Sequence, residues 1–283
     1  MTQQLILAMD GSTRVCSAAL LRGARGSATG RWEVAGHKTE ADGKGQARIL
    51  LRLVEELLGE LGAGPQDLGA VVVGVGPGTF TGVRIAVATA RGLALALSIP
   101  VWGVSTLSAL AAGAADSAAA GEEAPWSRLV PVVDARRQQI FFGVYEHVAY
   151  GVDESREQWV RAADFGVCDR EALGPLLGGQ GEERTLVVGD ARSLVGDLPR
   201  GVSFAAAPVY AERLVMGQEL LGARVGLARE PGVDLEILES AAPGRGGDGA
   251  PEKVKPLYVR SPDADVHITK MKDPWSVGGN RRT

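Results

Sequence analysis

The feature that most restricts the fold of this 283-residue chain is a pattern that occurs twice: an apolar run closing on an aspartate, a short turn, and a second apolar run. Leu5 to Met9 ends in Asp10, Gly11-Ser12-Thr13-Arg14 has turn composition, and Val15 to Leu21 follows. Leu129 to Val133 ends in Asp134, Ala135-Arg136-Arg137 turns, and Gln139 to Tyr145 follows. Apolar runs joined by small polar residues form β-hairpins. The first copy continues with a strand over Trp32 to His37 and a helix over Gln46 to Leu61, where Ile49, Leu50, Leu53, Val54, Leu57, Leu58 and Leu61 recur at three and four residues. A valine-rich strand over Ala70 to Val75, a helix over about Thr79 to Leu97 and a strand over Val101 to Val104 complete it. The second copy repeats the order more weakly, with a strand near Gln158 to Arg161, a helix over Arg170 to Leu177, a strand over Thr185 to Val188 and a helix over about Pro208 to Leu227. The recurrence indicates an internal duplication and predicts an α/β chain of two related lobes.

An Ala/Gly stretch without clear periodicity, Ala109 to Glu123, separates the copies. The expected lobes are residues 1–107 and 108–229, the last helix of the second (about 208–227) being free to pack on the first, followed by a linker and polar tail over 230–283. The run from Ala241 to Ala250 has linker composition. With 30 Lys and Arg against 34 Asp and Glu and only 5% aromatics, the chain lacks the cationic and stacking surface of an autonomous nucleic-acid binder. Its net charge of −4 also disfavours an anionic membrane surface. Without a basic, apolar leader or a long uncharged apolar run, the sequence points to a cytoplasmic protein. Cys16 and Cys168, far apart and outside any CxxC, read as small buried residues rather than as a disulfide or zinc pair.

Two facing copies of such a unit make a cleft. In it the Asp10, Ser12 and Thr13 turn could offer N–H groups and a hydroxyl to a phosphate while the aspartate holds a metal or water, as nucleotide enzymes of the actin, Hsp70 and hexokinase type require. The second turn departs from that need, since Asp134 is followed by Ala135 and Arg136 where a glycine should clear the phosphate, and only Gly189 stands where paired glycines should flank the base. Both aspartates read first as ordinary turn caps, ahead of phosphate or metal binding. The block from Gly74 to Arg84 lies between strand and helix, an anion-site context, but lacks the Lys of GxxxxGK[ST] and the third glycine of G-x-G-x-x-G. Thr79 or Thr81 then reads as a helix N-cap. In the helix that follows, Ala86, Ala90 and Ala94 form one smooth ridge and Ala88, Gly92 and Ala96 another, with Arg84 and Arg91 on nearly one stripe. Such a face suits close packing either on the protein's own sheet or on a partner. His37, His147 and His267 are isolated, and no serine lies in a G-x-S-x-G elbow.

The block Gly76-Pro77-Gly78-Thr79-Phe80-Thr81-Gly82-Val83-Arg84, the helix with Arg91-Gly92-Leu93-Ala94, and Pro100 to Leu107 resemble the bacterial TsaB (YeaZ) family. Asp10 to Thr13, Val133 to Arg136, Val188 to Asp190 and Pro256 to Arg260 resemble its other signposts, in order. The resemblance implies a duplicated actin-like (ASKHA, ribonuclease H-like) fold with two facing lobes. It also implies a non-catalytic scaffold for threonylcarbamoyladenosine synthesis on tRNA, pairing with a TsaD-type catalytic paralogue and a TsaE-type ATPase. Partner binding then falls to Thr79, Phe80, Arg84, Val87, Ala88, Ala90, Arg91 and Gly92, while Asp10, Ser12, Thr13, Asp134, Arg136 and Gly189 are degenerate nucleotide-site positions. ATP and metal belong on the partner subunits, tRNA is met only through the complex, and a homodimer is a further possibility for the chain alone. The family's older description as a glycoprotease finds no nucleophile and base here, and an actin-like ATPase or small-molecule kinase is the competing class.

Overall fold

The computed structural model describes residues 3–24, 32–41, 46–119, 126–150, 156–177, 184–216 and 254–259. In chain order the elements are β1 (Gln3–Asp10), β2 (Cys16–Ala24), β3 (Glu33–Glu40), α1 (Gln46–Glu60), β4 (Leu68–Gly74), α2 (Phe80–Leu97), β5 (Val101–Val104) and α3 (Thr106–Ala119). They continue with β6 (Arg128–Arg136), β7 (Gln139–Phe142), β8 (Tyr145–Tyr150), β9 (Arg156–Arg161), β10 (Gly166–Asp169), α4 (Arg170–Leu177), β11 (Thr185–Gly189) and β12 (Val202–Ala206). The first sheet runs β3-β2-β1-β4-β5 and the main path of the second runs β10-β7-β6-β11-β12, so the two copies share one strand order. In each, the first three strands are antiparallel and the last two join in parallel, which requires a crossover over the sheet face.

The copies also differ. Residues 156–161 are not the third strand of the second sheet: β9 pairs with β8 as a hairpin whose base extends β6, and the third strand is β10. Four residues at a sheet edge, three half-buried and one exposed, carry too little apolar pattern to stand out, whereas Trp159 makes β9 conspicuous. The helix expected over 208–227 is not one across its first part. Pro208 to Tyr210 carry no regular secondary structure, Tyr210 being extended, and only a 3-10 turn, Ala211–Leu214, follows; residues 217–227 lie outside the described residues. Pro208 would suit the first position of a helix; the segment departs from one as Val209, Ala211 and Leu214 are all drawn into the buried cluster between the sheets.

The chain packs in layers. α1 and α2 cover one face of the first sheet, where Leu50, Leu53, Leu57, Val83, Ala86 and Ala90 meet Leu7, Met9, Val71 and Val73. α4 covers the outer face of the second sheet. Between the sheets lies the largest cluster, in which α3 contributes Leu107, Ala111 and Ala115, and Val209, Ala211 and Leu214 join it. The described part of the stretch read as a separator, Ala109 to Ala119 (residues 120–123 lie outside the described residues), is therefore helical and largely buried. Covered on both sides, it needs no polar stripe, so it has no amphipathic period to recognise. The segment after β12 reaches the first sheet, with Ser17 Oγ donating to Val209 O at 3.2 Å. α2 is long and apolar enough to cross a bilayer; its Ala86, Ala90 and Ala94 ridge packs on the sheet, and Arg84 and Arg91 interrupt its other side.

Candidate functional site

Two regions carry the residues singled out in the sequence. The first is the β1–β2 turn. Asp10 is fully buried, and its Oδ1 accepts the Ser12 N–H at 3.0 Å and the Ser12 hydroxyl at 2.8 Å. Thr13 Oγ1 exchanges hydrogen bonds with the backbone of Val15, and the Gln46 side-chain amide donates to Gly11 O and Thr13 O. The loop leading into α2 lies directly on this turn, with Thr79 N–H donating to Ser12 O at 2.6 Å. A Cβ at Gly78 would fall 2.2 Å from Ser12 O and one at Gly82 2.0 Å from Gly11 O, so these two glycines are required by close backbone approach.

The turn does not fit a phosphate. Ser12 and Thr13 are buried, and their donors serve the chain's own acceptors. Asp10 Oδ2 is buried without a partner beside Gly74. Burial pushes the Asp10 carboxyl up to about 7 against the opposing Ser12 hydrogen bonds, with a smaller contribution from the charge of Asp190. On the second lobe, Asp134 caps its own turn, accepting the Arg136 N–H at 2.7 Å and pairing with the Arg136 guanidinium at 3.2 Å. Asp134 N–H donates to Asp190 Oδ1 at 3.1 Å, and burial raises the Asp190 carboxyl. Arg136, Arg137 and Gln138 all have positive φ, where the expected phosphate turn would place glycine. Gly189, at φ 147°, is close to the backbone of Val132: a Cβ there would meet its carbonyl oxygen at 1.9 Å. Among the described residues no three His, Cys, Asp or Glu side chains gather as a metal ligand set.

The second region is the outer face of α2. Thr79 is the N-cap residue, half-buried, and makes no side-chain capping bond. The two ridges part: Ala86, Ala90 and Ala94 are buried on the sheet, while Ala88, Gly92 and Ala96 face outward. Ala90 is thus a core residue, a correction to its assignment as a partner contact, because its methyl already fills the space under β4. Val87 is largely buried but lines a shallow groove of about 360 Å³ with Arg84, Ala88, Arg91 and Pro256. Among the described residues nothing lies within 4 Å of where a Cβ on Gly92 would stand. Arg84 lies over the ring of the exposed Phe80, its Cζ 3.6 Å from the centroid, and its Nε donates to Tyr258 Oη at 2.9 Å.

Tyr258 is the residue that inspection of the sequence did not assign to this face. It arrives through a docked tail segment in which Val254 is buried beside Gly103 and Leu257 N–H donates to Val75 O at 2.7 Å. The signal available was the apolar Val254, Leu257 and Tyr258 within an otherwise polar tail. The Gly244 to Gly249 linker lies outside the described residues.

Comparison with known proteins agrees with this architecture. The family model of TsaD, described as tRNA N6-adenosine threonylcarbamoyltransferase, matches residues 40–164. A crystal structure of a Pseudomonas aeruginosa protein described as uncharacterized and similar to the peptidase YeaZ superposes with TM-score 0.62 at 26% identity, over 91% of this chain and 100% of that one. YeaZ from Pseudomonas aeruginosa superposes with TM-score 0.58 at 28% identity, over 77% of this chain and 98% of that one. No curated protein matches the sequence. The chain is YeaZ-like (TsaB-like) in fold as in its sequence motifs, with the actin-like, ribonuclease H-like architecture that the resemblance implied.

Proposed function

We propose that this YeaZ-like chain is the non-catalytic scaffold subunit of the tRNA threonylcarbamoyladenosine machinery, holding a TsaD-type catalytic paralogue through the outer face of α2 and working with a TsaE-type ATPase in the cytoplasm. The observation that carries the reading is the exposed small-residue ridge. A glycine inside a helix costs about 1 kcal/mol relative to alanine, yet among the described residues no neighbour requires Gly92 to lack a side chain. A second backbone passing close to Ala88 and Gly92 gives the residue a reason. The closed Asp10 turn supports the absence of nucleotide chemistry here, because the donors that would hold a phosphate are bonded within the chain. ATP, metal and tRNA are then handled by the partner subunits or the assembled complex.

The test is reconstitution. Purified chain, TsaD-type and TsaE-type proteins, threonylcarbamoyl donor and unmodified tRNA should yield modified tRNA, and leaving this chain out should abolish the product. The chain alone should hydrolyse no ATP. Product formed at full rate without it sinks the proposal, as does ATP turnover by the isolated chain that disappears in Asp10→Ala.

A further inference from the structure

We infer that residues 260–283, carried on the docked segment Val254 to Val259, supply a cationic arm through which this chain contacts the phosphates of RNA in the assembled complex. The inference rests on the reading given above and adds a contact which that reading left to the complex as a whole. The near-neutral balance of the whole chain conceals a partition. From Lys253 onward there are seven Lys or Arg against three Asp. The 252 residues before Lys253 hold the other 23 basic residues and 31 acidic ones. An acidic body thus carries a basic extension, the charge asymmetry of a chain that meets a polyanion at one place only.

The fold fixes where this charge leaves the body. Val254 is buried beside Gly103, and Leu257 packs on the cluster beneath α1 and α2 while its N–H donates to Val75 O at 2.7 Å. Val259, two residues on, packs instead on the cluster between the sheets, and Tyr258 accepts a hydrogen bond from Arg84 Nε. A segment held at four points gives the cations that follow one fixed root, and Lys255 on the same segment is exposed. Tethering at a fixed root makes each phosphate contact an intramolecular event once the complex holds the RNA.

The order of the charges selects the occupant. Beyond the anchor the cations come in pairs, Lys270 with Lys272 and Arg281 with Arg282, with Trp275 and Gly278-Gly279 between them. Paired cations neutralise neighbouring phosphates and an aromatic ring among them stacks on any base, so neither needs a groove or a particular nucleotide sequence. An anionic membrane surface asks for a denser run of Lys and Arg, or for one apolar helical face. Here Lys272 and Arg281 stand nine positions apart, and Pro262, Pro274 and the two glycines interrupt any helical pattern. The acidic body of the chain would also attract these cations, and the measurement below separates the two.

Binding of an unmodified tRNA transcript to the complex of the full chain with the TsaD-type paralogue should be followed by fluorescence anisotropy over a series of salt concentrations. The same titrations use the chain shortened after Arg260 and the full chain with Lys270→Gln, Lys272→Gln, Arg281→Gln and Arg282→Gln combined. Both keep the anchor, so melting temperature and complex formation should match the wild type. Each should bind tRNA roughly tenfold or more weakly at low salt, and the slope of log affinity against log salt should become shallower by about 3, the counterions released by four contacts. Affinity and slope unaltered in both forms overturn the arm. So does a lowered melting temperature with tRNA affinity intact, which assigns the cations to the chain's own acidic body. Binding to phosphatidylserine vesicles that vanishes on shortening, while tRNA binding persists, overturns it as well. If the wild type does not bind the paralogue at all, the pairing proposal falls by itself. The arm is then judged on the full chain alone at low salt: tRNA binding lost in the four-glutamine form sustains it, and no binding overturns it.

Discussion

Asp10 stands at the end of a central strand, where its carboxyl fastens the Ser12 turn through one oxygen and leaves the other buried and unpartnered. Desolvation disfavours the charged form, so the folded protein binds this proton more tightly than the unfolded chain, whose carboxyl titrates near 3.8. The sign follows from linkage: the unfolded state loses the proton first, and stability attributable to Asp10 falls as pH rises from about 4 to 7, by up to about 1.4 kcal/mol per pH unit. Asp10→Asn keeps the shape without the titration. In urea unfolding across that range, the difference in stability between the variant and wild type should shift in the variant's favour as pH rises. A difference independent of pH would mean that the carboxyl is ionised throughout.

At the scale of the element, α2 divides cleanly between two roles. Its inward ridge, Ala86, Ala90 and Ala94, allows the helix to sit close on the sheet, and its outward ridge leaves a smooth track between two arginines. Ala90→Arg forces a long charge into filled space, and overpacking alone commonly costs about 1–3 kcal/mol before desolvation is added. That variant should melt at clearly lower temperature. Ala88→Arg should melt like the wild type but fail to co-elute with the TsaD-type paralogue. Normal folding and normal co-elution for both variants would exclude this helix as the contact. The alternation of the ridges was plain in the sequence, but which one faced inward was not, because both are equally small and apolar. Only β1 and β4 packing beneath the helix decides it.

Across the whole molecule, the largest apolar cluster belongs to both sheets at once. α3 lies between them with its alanines buried on either side, and residues 209–214 seal the same layer against β1 and β2. Neither sheet can keep its inner face covered if the other unfolds. Urea unfolding followed by the fluorescence of Trp102 and Trp159, one in each sheet, should therefore track circular dichroism in a single coincident transition. Because the chain has five tryptophans, variants that keep only Trp102 or only Trp159, with the other four replaced by phenylalanine, assign the two signals. Two separated transitions would mean that the sheets are independent units.

By itself the sequence determined the elements whose pattern is local: both hairpins, the periodicity of α1, the valine-rich strand β4, and the duplication that sets two equal strand orders. It also carried the glycine-rich block after β4, whose spacing follows from two backbones passing within van der Waals distance. Tertiary structure alone decided what depends on neighbours distant in the chain. It made the Ala/Gly stretch up to Ala119 part of a buried helix, gave the third place in the second sheet to the short β10, and brought Tyr258 back onto Arg84. It also left the Asp10 turn closed by the loop before α2. A residue's spacing records the element it sits in, but burial, proton affinity and availability to a partner depend on what packs against that element, and this information lies elsewhere in the chain.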